Sequence, residues 1–266
     1  SPAEIRLDRL HVNDLPFLPR MVVYRGEPLE VLKASGVNLV QVPDYRDREL
    51  IDRLRGAGLW AMAAPPRPPT VDGVVADPGT AALVPIGAEA DGILCWYMDP
   101  RRTGVSPVES DGTGRLGWNA LTRWVNQLRA ADRRMQRPIV ADVAGLEHVI
   151  ARQRLLPLIS REVIGTGLSL KLHQDWLDER RDRARPGSLA WSWIRVGSES
   201  LVVEPEQIEL QVRSAVAAGF RGLGFRTSGP LGSNGPAAAE RLLMLGLVNL
   251  ELDLLESFLA TSTRVG

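Results

Sequence analysis

Short apolar runs alternate with amphipathic segments along the whole chain. The apolar runs fall at 21–24, 37–42, 59–64, 92–98, 138–143, 157–164, 189–195 and 220–226. Their length and β-branched content predict eight strands, the pattern of βα units on a parallel sheet. Between them, the spacing of apolar residues predicts helices over 29–35, 47–55, about 118–135, 146–154, about 174–183, 205–218 and about 236–260. Punctuation agrees with these limits. Pro28 sits at a helix start, Gly36 and Gly56 follow helix ends, and Pro65, Pro66, Pro68 and Pro69 close the third run. Residues 70–90 are irregular. Eight strands in series leave no residues for a second core, so the expected fold is a single α/β domain, a (β/α)8 TIM barrel over 21–266. Residues 1–20 read as a short N-terminal β-hairpin packed on the barrel, with a strand over 5–12, an Asn13-Asp14 turn and a second strand from Phe17.

The last helix carries two apolar stripes. Leu243, Leu247, Leu250, Leu254 and Phe258 form one; Leu245, Val248, Leu252, Leu255 and Leu259 form the other. A barrel helix needs one buried stripe, so this long apolar helix is expected to bury the second against a neighbouring domain or subunit.

Composition narrows the chemistry. Formal net charge is zero, which gives no field for nucleic acid or an anionic membrane. No run reaches the roughly 18 apolar residues of a membrane span. Only Lys33 and Lys171 among the 32 basic residues are lysines, and neither ends a strand, which argues against a Schiff base. Cys95 is the sole cysteine, so neither an internal disulfide nor a thiolate metal cluster is expected. His11, His148 and His173 show no metal-binding spacing and none ends a strand, which argues against a zinc centre and a Ser-His-Asp triad. No metal and no cofactor is therefore expected. The opening Ser1-Pro2-Ala3-Glu4 reads as the start of a mature product or of a domain cut from a longer chain.

In this fold the chemistry gathers at the C-terminal ends of the strands. Those ends carry Tyr24, Arg25 and Glu27; Gln41 and Asp44; Asp99; Asp142; Arg161 and Glu162; Arg195 and Glu199; and Arg226 with Thr227. Carboxylates beside tryptophans suit glycoside hydrolysis, which uses one carboxyl as acid and another as nucleophile or base. Asp99 is the first candidate acid, with Asp142, Glu162 or Glu199 as its partner. Tyr24, Arg25, Trp96, Trp193, Arg195 and Arg226 are the candidate substrate-binding residues. Trp191 reads as core filling. The Gly-rich segment Gly229 to Gly235, with Arg195 and Arg226, leaves a phosphate site open as a further reading.

Several segments also resemble glycoside-hydrolase-like barrels: Gly26-Glu27-Pro28-Leu29 with Gly36-Val37-Asn38, Trp191-Ser192-Trp193-Ile194, and Ala217 to Phe225. The resemblance covers nearly the whole chain and is strongest to uncharacterised bacterial barrels within larger multidomain proteins. It implies carbohydrate as the partner and an extracytoplasmic setting. In the retaining enzymes of that group an Asn-Glu pair ends strand four and a Glu ends strand seven. Here Met98-Asp99 and Arg195 stand at those places. Two readings stay open: a glycosidase, and a catalytically inactive barrel serving as a carbohydrate-binding or structural module of a larger protein.

Overall fold

The computed structural model describes residues 3–6, 9–71, 74–77, 79–98, 115–142, 156–159, 169–183, 190–197, 203–232 and 235–261. Strands β1 (Ala3–Arg6), β2 (Arg9–Val12) and β3 (Leu15–Pro16) form a small antiparallel sheet. The single strand expected over 5–12 is thus two strands, with Ala3 opposite Val12 and Arg6 opposite Arg9. Asn13 and Asp14 connect β2 to β3 with φ of 56° and 65°. Two successive left-handed residues make the tight turn whose twist matches a hairpin, and Asn and Asp tolerate that conformation best after Gly. Ala3, Leu10 and Val12 share one apolar cluster with Met21, Leu39 and Trp191, which lie low in their strands, so this sheet sits at the lower end of the barrel.

The barrel strands are β4 (Arg20–Val23), β5 (Leu39–Val42), β6 (Trp60–Ala63), β9 (Ile93–Met98), β10 (Ile139–Asp142), β11 (Leu156–Ile159), β12 (Trp191–Arg195) and β13 (Leu223–Arg226). Each pairs in parallel with the next in that order, and β13 pairs with β4, so the ring closes. The irregular connection after β6 holds a small hairpin, β7 (Thr70–Val71) with β8 (Val74–Val75). Six of the strands begin one to three residues later than the apolar runs suggest, whereas β4 and β11 begin one residue earlier. Phe220, for example, is buried but lies in the turn, where its N–H donates to Ala215 O at 3.0 Å.

The helices are α1 (Leu29–Ala34), α2 (Arg48–Gly56), α3 (Arg115–Ala131), α4 (Ser169–Arg183), α5 (Pro205–Ala217), α6 (Pro236–Leu254) and α7 (Glu256–Leu259). Asp47 caps α2 by accepting from Leu50 N at 3.0 Å. Glu204 and Gln207 form a reciprocal capping box at α5, followed by Pro205 in the first turn. The helix expected over 146–154 lies outside the described residues.

Alternation along the strands sorts side chains into two apolar layers. Val22, Val40, Val42, Ala61, Ile93, Trp96, Ile194 and Phe225 face the helices. Met21, Leu39, Met62, Cys95, Tyr97, Val140, Trp191 and Trp193 fill the barrel interior. Gly224 of β13 and Gly222, just before that strand, make room for the two tryptophans. A Cβ on Gly222 would lie 2.5 Å from the Trp191 ring, and one on Gly224 would lie 2.6 Å from the Trp193 ring.

The helix expected over 236–260 breaks at Leu255, between α6 and α7. Glu256 is drawn to the barrel floor, where it accepts from Leu18 N at 2.8 Å and lies 3.5 Å from Arg20 Nη2. Of the two stripes, Leu245, Val248, Leu252 and Leu259 are buried, whereas Leu255 is exposed. The other stripe faces solvent throughout: Leu243 is 69% exposed, Leu247 61% and Leu254 77%. No helix of the described residues is long and apolar enough to cross a membrane.

Candidate functional site

At the C-terminal rim, the interior positions follow from the same alternation. Leu39 is interior, so Gln41 is too; Trp191 and Trp193 lead to Arg195; Gly222 and Gly224 lead to Arg226. Tyr97 is interior and buried near the top of β9. Arg195 and Arg226 are Cα partners across β12 and β13, and both are half-buried. Asp142 ends β10, opposite Leu158 of β11.

Backbone bonds fix this rim. Val196 N donates to Arg226 O at 2.9 Å, and Tyr24 N donates to Gln41 O at 2.9 Å. Arg195 N donates to Gln211 Oε1 at 3.4 Å, and Gln211 Nε2 in turn donates to Gln207 O at 3.0 Å, so α5 holds the end of β12. Glu27 is buried and joins two loops: it accepts from Arg25 N at 2.7 Å and from Leu231 N at 3.1 Å. The loop after the first barrel strand is thereby tied to the loop after the eighth.

The Arg226 guanidinium lies 4.7 Å from the centroid of the Trp193 ring. Trp193 is 5% exposed, so its role is to carry Arg226 rather than to offer an open face. Buried polar atoms of the interior without a hydrogen-bond partner include the donors Trp191 Nε1 and Trp193 Nε1 and the acceptor Gln41 Oε1. Beneath the rim, burial pushes the Cys95 thiol up to about 12, so it stays protonated and unreactive.

Two of the ten expected site residues, Trp96 and Tyr24, stand away from the mouth. Trp96 is in the outer layer: its Nε1 donates to Asp132 Oδ2 at 2.7 Å, Arg137 stacks 5.0 Å from its ring, and Tyr45 meets it edge-on at 5.5 Å. Asp132 and Arg137 are both buried, and the pair closes at 2.8 Å. Tyr24 packs against the outer layer, and Arg25 is exposed. Trp193, Arg195 and Arg226 come together, and Asp142 ends β10, two strands away from β12 in the ring. Asp99, Glu162 and Glu199 lie outside the described residues. Tyr97 and the clamping role of Glu27 are the features that sequence reasoning missed. The parity of β9 decides between Trp96 and Tyr97, and neither residue announces it. Among the described residues, no cluster of three His, Cys, Asp or Glu side chains is placed to hold a metal ion. The Gly-rich loop has already spent Leu231 N on Glu27.

The ring of parallel strands with its helices has the fold of the glycoside-hydrolase barrels. A β-glucuronidase of Bifidobacterium dentium, complexed with coumarin-3-O-glucuronide, superposes with a TM-score of 0.61 at 11% identity, over 100% of this chain and 50% of that one. A β-glucuronidase of Ruminococcus gnavus, in complex with N1-substituted uronic isofagomine, gives 0.56 at 11% identity, over 85% and 44%. The β-mannanase of Thermomonospora fusca, in complex with mannotriose, gives 0.52 at 12% identity, over 91% and 88%. The chain thus spans about half the length of the two glucuronidases. No protein-family profile matches the sequence, and no curated protein does.

Proposed function

We propose that this barrel takes carbohydrate at the C-terminal mouth of its strands. The observation that carries the reading is the gathering of Gln41, Tyr97, Trp193, Arg195 and Arg226 at one rim, on a fold that glycosidases use. Polar side chains gathered at a barrel mouth suit a polyhydroxylated ligand. Asp99 is the proposed general acid, with Asp142, Glu162 or Glu199 as the second carboxyl. Hydrolysis requires a separation of roughly 5–9.5 Å between the two carboxyl groups.

The test is hydrolysis of a panel of aryl glycosides and plant and bacterial polysaccharides by the full chain. Asp99→Asn and Asp142→Asn keep shape and remove the proton and the charge. Each should lower turnover by about 10²- to 10⁴-fold with circular dichroism unchanged. Unchanged turnover in both variants removes these residues from the mechanism. A second reading, a non-catalytic binding module, is favoured by Arg195 at the end of β12, where a carboxylate would otherwise stand. Binding of polysaccharide without turnover selects it. The exposed stripe Leu243, Leu247, Leu250, Leu254 and Phe258 supports a contact of the last helix with a neighbouring domain or subunit.

A further inference from the structure

Resting on the reading above that the last helix meets a neighbour, we propose that the neighbour is a second copy of this chain, docked antiparallel along the exposed row of α6. Leu243, Leu247, Leu250 and Leu254 are each more than half exposed and follow one another at intervals of four, three and four residues. That is the spacing of a coiled-coil seam, in which each side chain enters a hole formed by the facing helix. The intervals read the same in either direction. A two-fold axis through the middle of the row therefore sets Leu243 against the partner's Leu254 and Leu247 against the partner's Leu250. Such self-complementarity is what a closed dimer requires.

Charge favours this occupant and this direction. Glu251 is paired with Arg213 at 3.3 Å and Asp253 with Arg20 at 2.6 Å, so a copy approaching the row strands neither carboxylate at its rim. The C-terminal end of the row carries Glu251, Asp253 and Glu256, and the N-terminal end carries Glu240. Antiparallel docking lays each acidic end, which is also the negative end of the helix dipole, against the start of the partner's helix. Parallel docking would lay the two acidic ends side by side. Acids around the row also disfavour an anionic lipid surface, which recruits helices flanked by Lys and Arg. Exposed Leu210 stands on α5 one turn before Arg213, and Phe258 extends the row past the helix break. A standard stable interface buries about 800 Å² per partner. A seam about 17 Å long, widened by these two residues, sits at the low end of that class, so reversible association in the micromolar range is expected.

The experiment is sedimentation equilibrium of the full chain from about 1 µM to about 1 mM, expected to show a reversible monomer–dimer equilibrium. Leu247→Glu and Leu250→Glu each place a pair of carboxylates in the seam and should weaken association at least about thirtyfold, with circular dichroism unchanged. Direction is read by disulfide capture, since the native Cys95 is buried and stays out of the reaction. An equal mixture of Leu243→Cys and Leu254→Cys should cross-link on oxidation into the mixed dimer. Leu243→Cys by itself should not, because its two copies stand about 17 Å apart along the axis. Cross-linking of Leu243→Cys to itself overturns the antiparallel arrangement. A dimer indifferent to Leu247→Glu and Leu250→Glu pairs through another face, which overturns the proposal. So does a monomer throughout the range; if Leu247→Glu and Leu254→Glu leave its Tm unchanged, a neighbouring domain stands as the contact. A monomer that both variants destabilise as much as Leu245→Ala does covers the row with its own chain, and the contact reading falls with the proposal.

Discussion

At the scale of single residues, the barrel interior is a fit between large and absent side chains. Trp191 and Trp193 on β12 are accommodated because Gly222, just before β13, and Gly224 within it stand against their rings. Gly224→Ala puts a methyl 2.6 Å from the Trp193 ring and 2.9 Å from Met21 Cε. Such overpacking should cost about 1–3 kcal/mol in urea unfolding, and Trp193→Leu in the same chain should recover most of it. An unchanged midpoint for Gly224→Ala would place the ring elsewhere. Cys95 gives a second residue-scale expectation. Its proton is retained in the fold to about 12, whereas an unfolded thiol begins to lose it near 9.0. The native state therefore holds more protons than the unfolded state in that window, and stability present below it falls as pH rises through it. The fall should be shallower in Cys95→Ala than in the parent chain. The native thiol should also resist alkylation until denaturant unfolds the chain.

At the scale of elements, local chemistry was legible where it punctuates helices. The helix starts near Asp47 and at Pro205 are readable from residue type and spacing because caps act on backbone groups within four residues, whereas the Glu204–Gln207 box, with Glu at the cap, was not read. The two stripes of the last helix were legible as stripes, but not which of them would be core. α6 packs on α1 through close approaches at Gly36 and Gly246 and through Asn249 Nδ2, which donates to Ser35 O at 2.7 Å. That contact fixes the rotation of the helix and buries Leu245, Val248 and Leu252. Leu245→Ala should therefore cost about 2–5 kcal/mol in thermal unfolding, while Leu247→Ala and Leu254→Ala should stay within about 0.5 kcal/mol. Equal losses at all three positions would mean that the exposed stripe is covered by the chain itself.

At the scale of the whole molecule, the ring of parallel strands brings residues from distant parts of the chain to one mouth. Gln41, Trp193 and Arg226 meet there, while Glu27 ties the first barrel loop to the last through Leu231 N. The alternation of apolar runs and helical segments determined the α/β class and the series of βα units, because strand and helix periodicities are local properties. The rule that chemistry gathers at C-terminal strand ends directed attention to Arg195, Arg226 and Asp142. Tertiary structure decided the rest. A strand buried on both faces is apolar at every position, so its sequence does not say which parity points inward. On β9 that choice sent Tyr97 into the barrel and Trp96 among the helices, where Asp132 and Arg137 hold it. It also set Arg226 over Trp193, a contact between strands whose partnership exists only once the ring has closed.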